Sequence, residues 1–183
     1  MAPKVKITEK SIVETAIELI RSNGESAINA RAIASALNCS TQPIFSNFST
    51  MDELKNATGS YAYGIYLEFL KNEIKSEKYP KYKAMGMAYI RFAREEKELF
   101  KFLFMRDRRG EELSPTADFQ ESVDILVGAN SITKEEANLM HLEMWTFVHG
   151  VATMIATSFC ILEEELISKM LSDIYNGLRS KYL

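Results

Sequence analysis

Cysteine is scarce: Cys39 and Cys160 are the two in 183 residues. They stand too far apart in sequence for a metal-type pair and are too few for a disulfide framework. A reduced chain in the cytoplasm is therefore the expectation. An excess of one charge is also missing. The net charge is −3, and across residues 1–56 Lys4, Lys6, Lys10, Arg21, Arg31 and Lys55 are balanced by Glu9, Glu14, Glu18, Glu25, Asp52 and Glu53. This excludes a broad polycationic surface, so any contact with nucleic acid must rest on where single cations stand, and affinity should be modest and salt-sensitive. Catalytic signatures are absent: the sequence has no HExxH, Walker loop or GxSxG. His141 and His149, about 12 Å apart along one helix, are too distant to share a metal ion. No enzyme chemistry, metal or cofactor is expected, and each His reads as a hydrogen-bonded group in a helical core. Met1–Lys6 has some positive charge but no apolar core behind it, so a signal peptide is not expected, only a short loose arm.

Long uncharged runs are rare too. The one from Met144 to Leu162 lacks Asp, Glu, Lys and Arg, yet Thr146, His149, Gly150, Thr153, Thr157 and Ser158 interrupt it. Its flanks, Glu143 and Glu163–Glu165, are acidic. It reads as a helix buried on both sides rather than a membrane span.

What the chain does contain is helical periodicity throughout. Its length can bury about 70% of the unfolded surface, enough for a small domain plus a medium one. Thr8 caps a first helix to Asn23, with Ile12, Val13, Ala16, Ile17, Leu19 and Ile20 as its stripe and Gly24 as its exit. Asn29 caps a second, with Ala32, Ile33, Ala36 and Leu37 on its apolar face, and Asn38 supplies a left-handed exit. Ser40 or Thr41 is expected to cap a third helix with Pro43 in its first turn. Ile44, Phe45 and Phe48 anchor that helix. Thr41, Gln42, Ser46 and Asn47 are left outward, short uncharged groups suited to base edges and phosphate oxygens in a DNA major groove.

Ser49-Thr50, with Asp52 and Glu53 behind them, open a helix expected over 51–78. Tyr79-Pro80 breaks the chain before a helix over Lys81–Glu98 and a short one at Leu99–Met105. Arg106–Glu112 mixes both charges around Gly110 and reads as a solvated loop. Ser114 or Thr116 starts the next helix, and Thr133 to Glu136 forms a capping box for the one after. In that helix Thr146, Gly150, Thr153 and Thr157 line a face of small residues beside a larger apolar face of Trp145, Val148, Ala152, Ile155 and Phe159. The last helix, Glu163 to about Lys181, carries Leu166, Ile167, Met170, Leu171, Ile174, Tyr175 and Leu178. The two together read as half of a two-fold four-helix interface, with Thr146, Gly150, Thr153, Thr157, Leu166, Met170 and Ile174 at the seam.

The order Gly24, Asn29-x-Arg31-x-Ile33-Ala34, Cys39-Ser40, Pro43-Ile44-Phe45-x-x-Phe48, Asp52-Glu53-Leu54 resembles the N-terminal domain of TetR family transcriptional regulators, gap-free from about Ile7 to Ala57. Trp145-x-x-x-His149-Gly150 resembles the Trp-His-Gly motif of one subgroup of their C-terminal domains. Three positions depart from the family pattern: Asn38 stands where Gly is usual, Phe45 where Tyr is, and Met51 where Lys is. The last two withdraw a hydroxyl and a positive charge that the family points at phosphates.

The resemblance implies an all-α chain of about nine helices. A three-helix helix-turn-helix DNA-binding domain would fill residues 1–50, and a helical effector-binding and dimerisation domain residues 51–183. It implies a homodimer on an inverted-repeat DNA operator, more often a repressor, released by a small apolar or amphipathic effector. Asn29, Arg31 and Lys55 would meet phosphates, with Lys4 and Lys6 available nearby. Ser40, Thr41, Gln42, Pro43, Ser46 and Asn47 would lie in the groove, and Phe45 would pack on the backbone or a thymine methyl. The matching helices of the family enclose its ligands, which points to Tyr66, Met85, Tyr89, Phe104, Met144, Trp145 and His149. The competing expectation is a helical ligand-binding or adaptor dimer with weak or no specific DNA binding.

Overall fold

The computed structural model describes residues 7–107 and 117–182. Among the described residues the chain is helical throughout, with no strand. The helices are α1 (Glu9–Asn23), α2 (Ala30–Ala36), α3 (Gln42–Asn47), α4 (Met51–Lys75), α5 (Lys81–Glu95), α6 (Lys97–Phe104), α7 (Ala117–Asn130), α8 (Lys134–Ala156) and α9 (Glu164–Tyr182). A single 3-10 turn covers Glu25–Ala27. Two compact units result. One holds the chain up to Leu67 together with Glu96–Arg106, the other Glu68–Glu95 and the chain from Asp107 onward. α4 thus begins in the first unit and ends in the second, and α6 belongs to the first.

In the first unit, α1 supplies the apolar floor. Ile12, Val13, Ala16, Ile17 and Ile20 are buried, and α2, α3 and α6 pack on α1 with Ile33, Ala34, Ile44, Leu99 and Phe100 buried on them. Thr8 and Ser11 cap α1 reciprocally, at 3.2 Å and 3.0 Å. Gly24 ends it at φ +75°, where a β-carbon would be strained and would crowd a Glu98 carboxylate oxygen at 3.1 Å. At the same end, the Arg21 guanidinium donates to both oxygens of Glu96, at 2.9 and 2.6 Å, and to Glu18 at 2.6 Å. These bonds, to Glu96 foremost, hold Arg21 firmly protonated and pin the lead-in of α6 to α1.

In the second unit, α5 packs on α7, α8 and α9, and α8 also packs on α7 and α9. α5 buries Ala84, Met85, Met87, Ala88, Tyr89, Ile90, Phe92 and Ala93. Gly86 permits the close approach: a β-carbon there would stand 3.0 Å from Leu171 and 3.5 Å from Val148. Val123, Leu126, Ile132, Ala137 and Met140 form a further core beneath Phe119, Tyr175 and Leu178.

Three expectations for α4 and α8 need correction. α4 ends at Lys75 rather than residue 78, because Ser76 folds back on Glu73 and Glu77 takes a left-handed conformation at φ 54°. The uncharged run does not stay helical to Leu162. Ser158, at φ 57°, stops α8 after Ala156 and leaves Phe159 and Ile161 exposed. Nor is α8 buried on both sides within this chain, since Leu139, Leu142 and Trp145 are 41–49% exposed. Among the described residues no helix is long and apolar enough to cross a membrane. Lys4, Lys6, Ser114, Thr116 and the charged run from Arg108 to Glu112 lie outside the described residues.

Candidate nucleic-acid interface and ligand-contact residues

The α2–turn–α3 segment is built by local hydrogen bonds. The Asn29 side chain accepts from the Ala32 amide at 2.9 Å and so caps α2. Asn38 leaves α2 in the left-handed conformation, φ 51°. Its amide donates to Ser35 O at 3.1 Å, and the Cys39 amide to Ala34 O at 2.9 Å. This is a Schellman exit with Asn in the place usually taken by Gly. The cap expected of Ser40 or Thr41 is not made. Thr41 is already helical at φ −72°, ψ −15°, and its side chain makes no capping bond. Its carbonyl accepts from the Ile44 and Phe45 amides instead, and Pro43, in the first turn, has no amide to satisfy. α4 is opened as expected: Thr50 accepts from the Glu53 amide at 3.1 Å, and the Glu53 carboxylate takes the Ser49 amide at 2.7 Å.

α3 turns Ile44 inward, with Phe48 buried just beyond it. Gln42, Phe45, Ser46 and Asn47 are exposed, as is Ser40 ahead of them, while Thr41 and Pro43 are half-buried. Two of the outward polar groups fold onto their own helix. The Ser46 hydroxyl donates to Gln42 O at 2.9 Å and the Asn47 amide to Pro43 O at 2.7 Å.

The cations are less available than the sequence suggests. Lys55 lies 3.2 Å from Glu25, Lys10 lies 3.7 Å from Glu14, and Arg21 is held by Glu18 and Glu96. Of Lys10, Arg21, Arg31 and Lys55, Arg31 alone makes no ion pair among the described residues, and it is exposed in the first turn of α2.

The residues expected to meet an effector fall in both units. Tyr66 and Phe104 meet edge-on in the first unit, centroids 5.5 Å apart. Met85, Tyr89, Met144, Trp145 and His149 are in the second. There the Tyr89 hydroxyl and His149 Nδ1 are 2.9 Å apart, and Trp145 stacks on His149 at 5.1 Å and 15°. Burial pushes the His149 imidazole below its ordinary pKa. A second pair, which the sequence reading did not single out, joins Tyr82 to His141 Nδ1 at 3.0 Å, with the Phe119 ring edge-on to the imidazole at 4.4 Å. Burial raises the Tyr82 phenol well above its usual value. Tyr175 donates to Asn130 in the same core. The spacing carried the signal: Tyr82 and Tyr89 are two turns apart on α5, and His141 and His149 about two turns apart on α8. Among the described residues no group of His, Cys, Asp or Glu is placed to hold a metal ion.

The residues expected at the dimer seam form the outer side of α8 and α9. Thr146, Gly150, Thr157, Leu166 and Ile174 are exposed, and Thr153 and Met170 half-buried. A β-carbon on Gly150 would meet nothing within 4 Å. Lys181 and Tyr182 bond to Glu143 at 3.0 and 3.1 Å, so α9 runs back along α8. The Thr153 hydroxyl is buried without a hydrogen-bond partner among the described residues.

Residues 82–165 match the family model described as tetracyclin repressor-like, C-terminal domain. No curated protein matches the chain. Among solved structures, the chain is similar to a member of the TetR family from Streptomyces coelicolor A3, at 16% identity and a TM-score of 0.65, over 90% of this chain and 96% of that one. It is also similar to a TetR-like transcriptional regulator from Rhodococcus sp. RHA1, at 15% identity and a TM-score of 0.63, over 94% and 95%. At such identities the likeness speaks for the fold, and the C-terminal match adds sequence to it. Residues 82–165 thus resemble a tetracyclin repressor-like C-terminal domain, and the chain as a whole shares the fold of TetR family structures.

Proposed function

We propose that the chain is a dimeric DNA-binding transcriptional regulator, a cytoplasmic repressor released from its operator by a small apolar or amphipathic effector. The observation that carries this reading is the α2–turn–α3 unit. It is a capped pair of short helices on an aliphatic floor, with an uncharged outer face on α3 and the unpaired cation Arg31 beside it. Each subunit would lay α3 in a major groove, the two half-sites of an inverted repeat standing about one helical turn apart. Asn29, Arg31 and Lys55 would hold phosphates, and Ser40, Thr41, Gln42 and Pro43 would meet base edges, with Ser46 and Asn47 alongside. Subunits would pair through the outer rows of α8 and α9. An effector held near Tyr89, His149, Trp145, Met85 and Met144 would act on the heads through α4, which runs unbroken from one unit into the other; Tyr66, on α4 itself, and Phe104, which meets it edge-on, would respond to it.

A second reading is favoured by the ion pairs at Lys10, Arg21 and Lys55 and by Phe45 and Met51. It is a ligand-binding or adaptor dimer with little specific DNA affinity. Selection of random duplexes by the purified protein at low and moderate salt separates the two. The regulator enriches an inverted repeat, whereas an intact dimer that enriches nothing at either salt is the adaptor.

A further inference from the structure

The outer face of α3 carries an exposed aromatic ring. Phe45 is 50% exposed while its neighbour Ile44 is fully buried. It lies three residues from Gln42, on the same side of the helix as Gln42 and Ser46. The polar groups around it are partly committed, because Ser46 and Asn47 donate to carbonyls of their own helix. Base-edge hydrogen bonding from α3 therefore falls mainly on Gln42. The ring itself has no donor or acceptor and no hydroxyl for a phosphate. In the major groove the apolar group that tells one base pair from another is the thymine C5-methyl.

Resting on the regulator reading above, we propose that Phe45 is a specificity-determining residue that reads one thymine of each half-site through its methyl group. Gln42 and Arg31 set the register, and Phe45 discriminates by apolar contact. Burying one methyl-sized group changes affinity by about fourfold per half-site.

The test uses the full chain and its selected operator. Deoxyuridine, which lacks only the methyl, replaces thymine one position at a time, and binding is titrated by fluorescence anisotropy at fixed salt. At one position in each half-site the substitution should weaken binding about fourfold, and about fifteenfold when both half-sites carry it. 5-Methylcytosine at that position should bind better than cytosine. Phe45→Ala, at an exposed site that leaves Ile44 and Phe48 in the core, should bind the thymine and deoxyuridine duplexes equally, with unchanged helical circular dichroism. Deoxyuridine tolerated at every position, or discrimination that survives Phe45→Ala, overturns the proposal and leaves the regulator reading standing. Failure to select any operator overturns both.

Discussion

The two compact units place polar and apolar side chains in opposite ways. In the first, α1 to α3 send aliphatic residues inward and short polar ones outward. In the second, Tyr82–His141, Tyr89–His149 and Tyr175–Asn130 pair between packed helices, while Leu139, Leu142, Trp145, Leu166 and Ile174 face outward. The polar face of α3 stays wet, as surfaces that meet DNA do. The apolar row on α8 and α9 is disfavoured in water and suits a like surface on another copy.

The comparison breaks most readily at that outer row. Ile174→Glu or Leu142→Glu would bury an unpaired carboxylate twice in a two-fold interface, at a cost on the order of 3 kcal/mol or more. The dimer dissociation constant should rise more than a hundredfold, and sedimentation should show monomer where the parent chain is dimeric. An unaffected dimer would place the interface elsewhere. Next in size comes the head. Arg31→Ala and Gln42→Ala should each weaken operator binding by about 1–3 kcal/mol while the protein stays folded and dimeric. They should differ in kind: loss of Arg31 flattens the salt dependence by about one phosphate contact per subunit, whereas loss of Gln42 relaxes base preference and leaves the slope alone. Identical salt slopes for the two variants would show that Arg31 does not touch phosphate.

This contrast also explains what could be read from residues alone. The caps at Thr8, Asn29, Thr50 and Thr133, and the exit at Asn38, depend on neighbours a few residues away, so residue type and spacing determine them. Thr41 failed as a cap because its backbone had already become helical, which a preference for Thr at that position cannot reveal. In the second unit the deciding contacts join residues about sixty apart, such as Tyr82 with His141 and Tyr89 with His149. The matching two-turn spacings on α5 and α8 hint at these pairs, but no local rule chooses the partners. The apolar part of the outward face of α8 was hidden for a related reason. Leu139, Leu142 and Trp145 read as core in any single helix, and only the packing of α5, α7 and α9 shows which side they leave uncovered.

A smaller effect sharpens the local half of the comparison. Asn38 holds a left-handed conformation that a β-carbon opposes, and Asn bears it better than other side chains do. Asn38→Ala should therefore lower unfolding stability by about 1 kcal/mol, and Asn38→Gly should lose nothing or gain a few tenths. Urea midpoints rank the three. Equal midpoints for Ala and Gly would mean that the α2 exit relaxes to another conformation.

The smallest expected effect belongs to the second unit's inward polar pairs. His149 sits against Tyr89 and Trp145, and burial lowers its pKa from the ordinary 6.5, so the folded chain favours neutral imidazole. The unfolded chain takes up that proton near pH 6.5. Between the folded value and 6.5 the unfolded state binds more protons, so stability rises with pH through that window. The contribution is complete above about pH 6.5 and is lost as pH falls toward the folded value. Urea midpoints at about pH 7.5 and about pH 5.5 should therefore fall less for His149→Gln than for the parent chain. Every other ionisable group is common to both proteins, so the difference isolates His149. Equal falls would mean that the imidazole gains a proton without leaving the Tyr89 hydroxyl, which can turn to accept from it, and the pair would then be indifferent to charge.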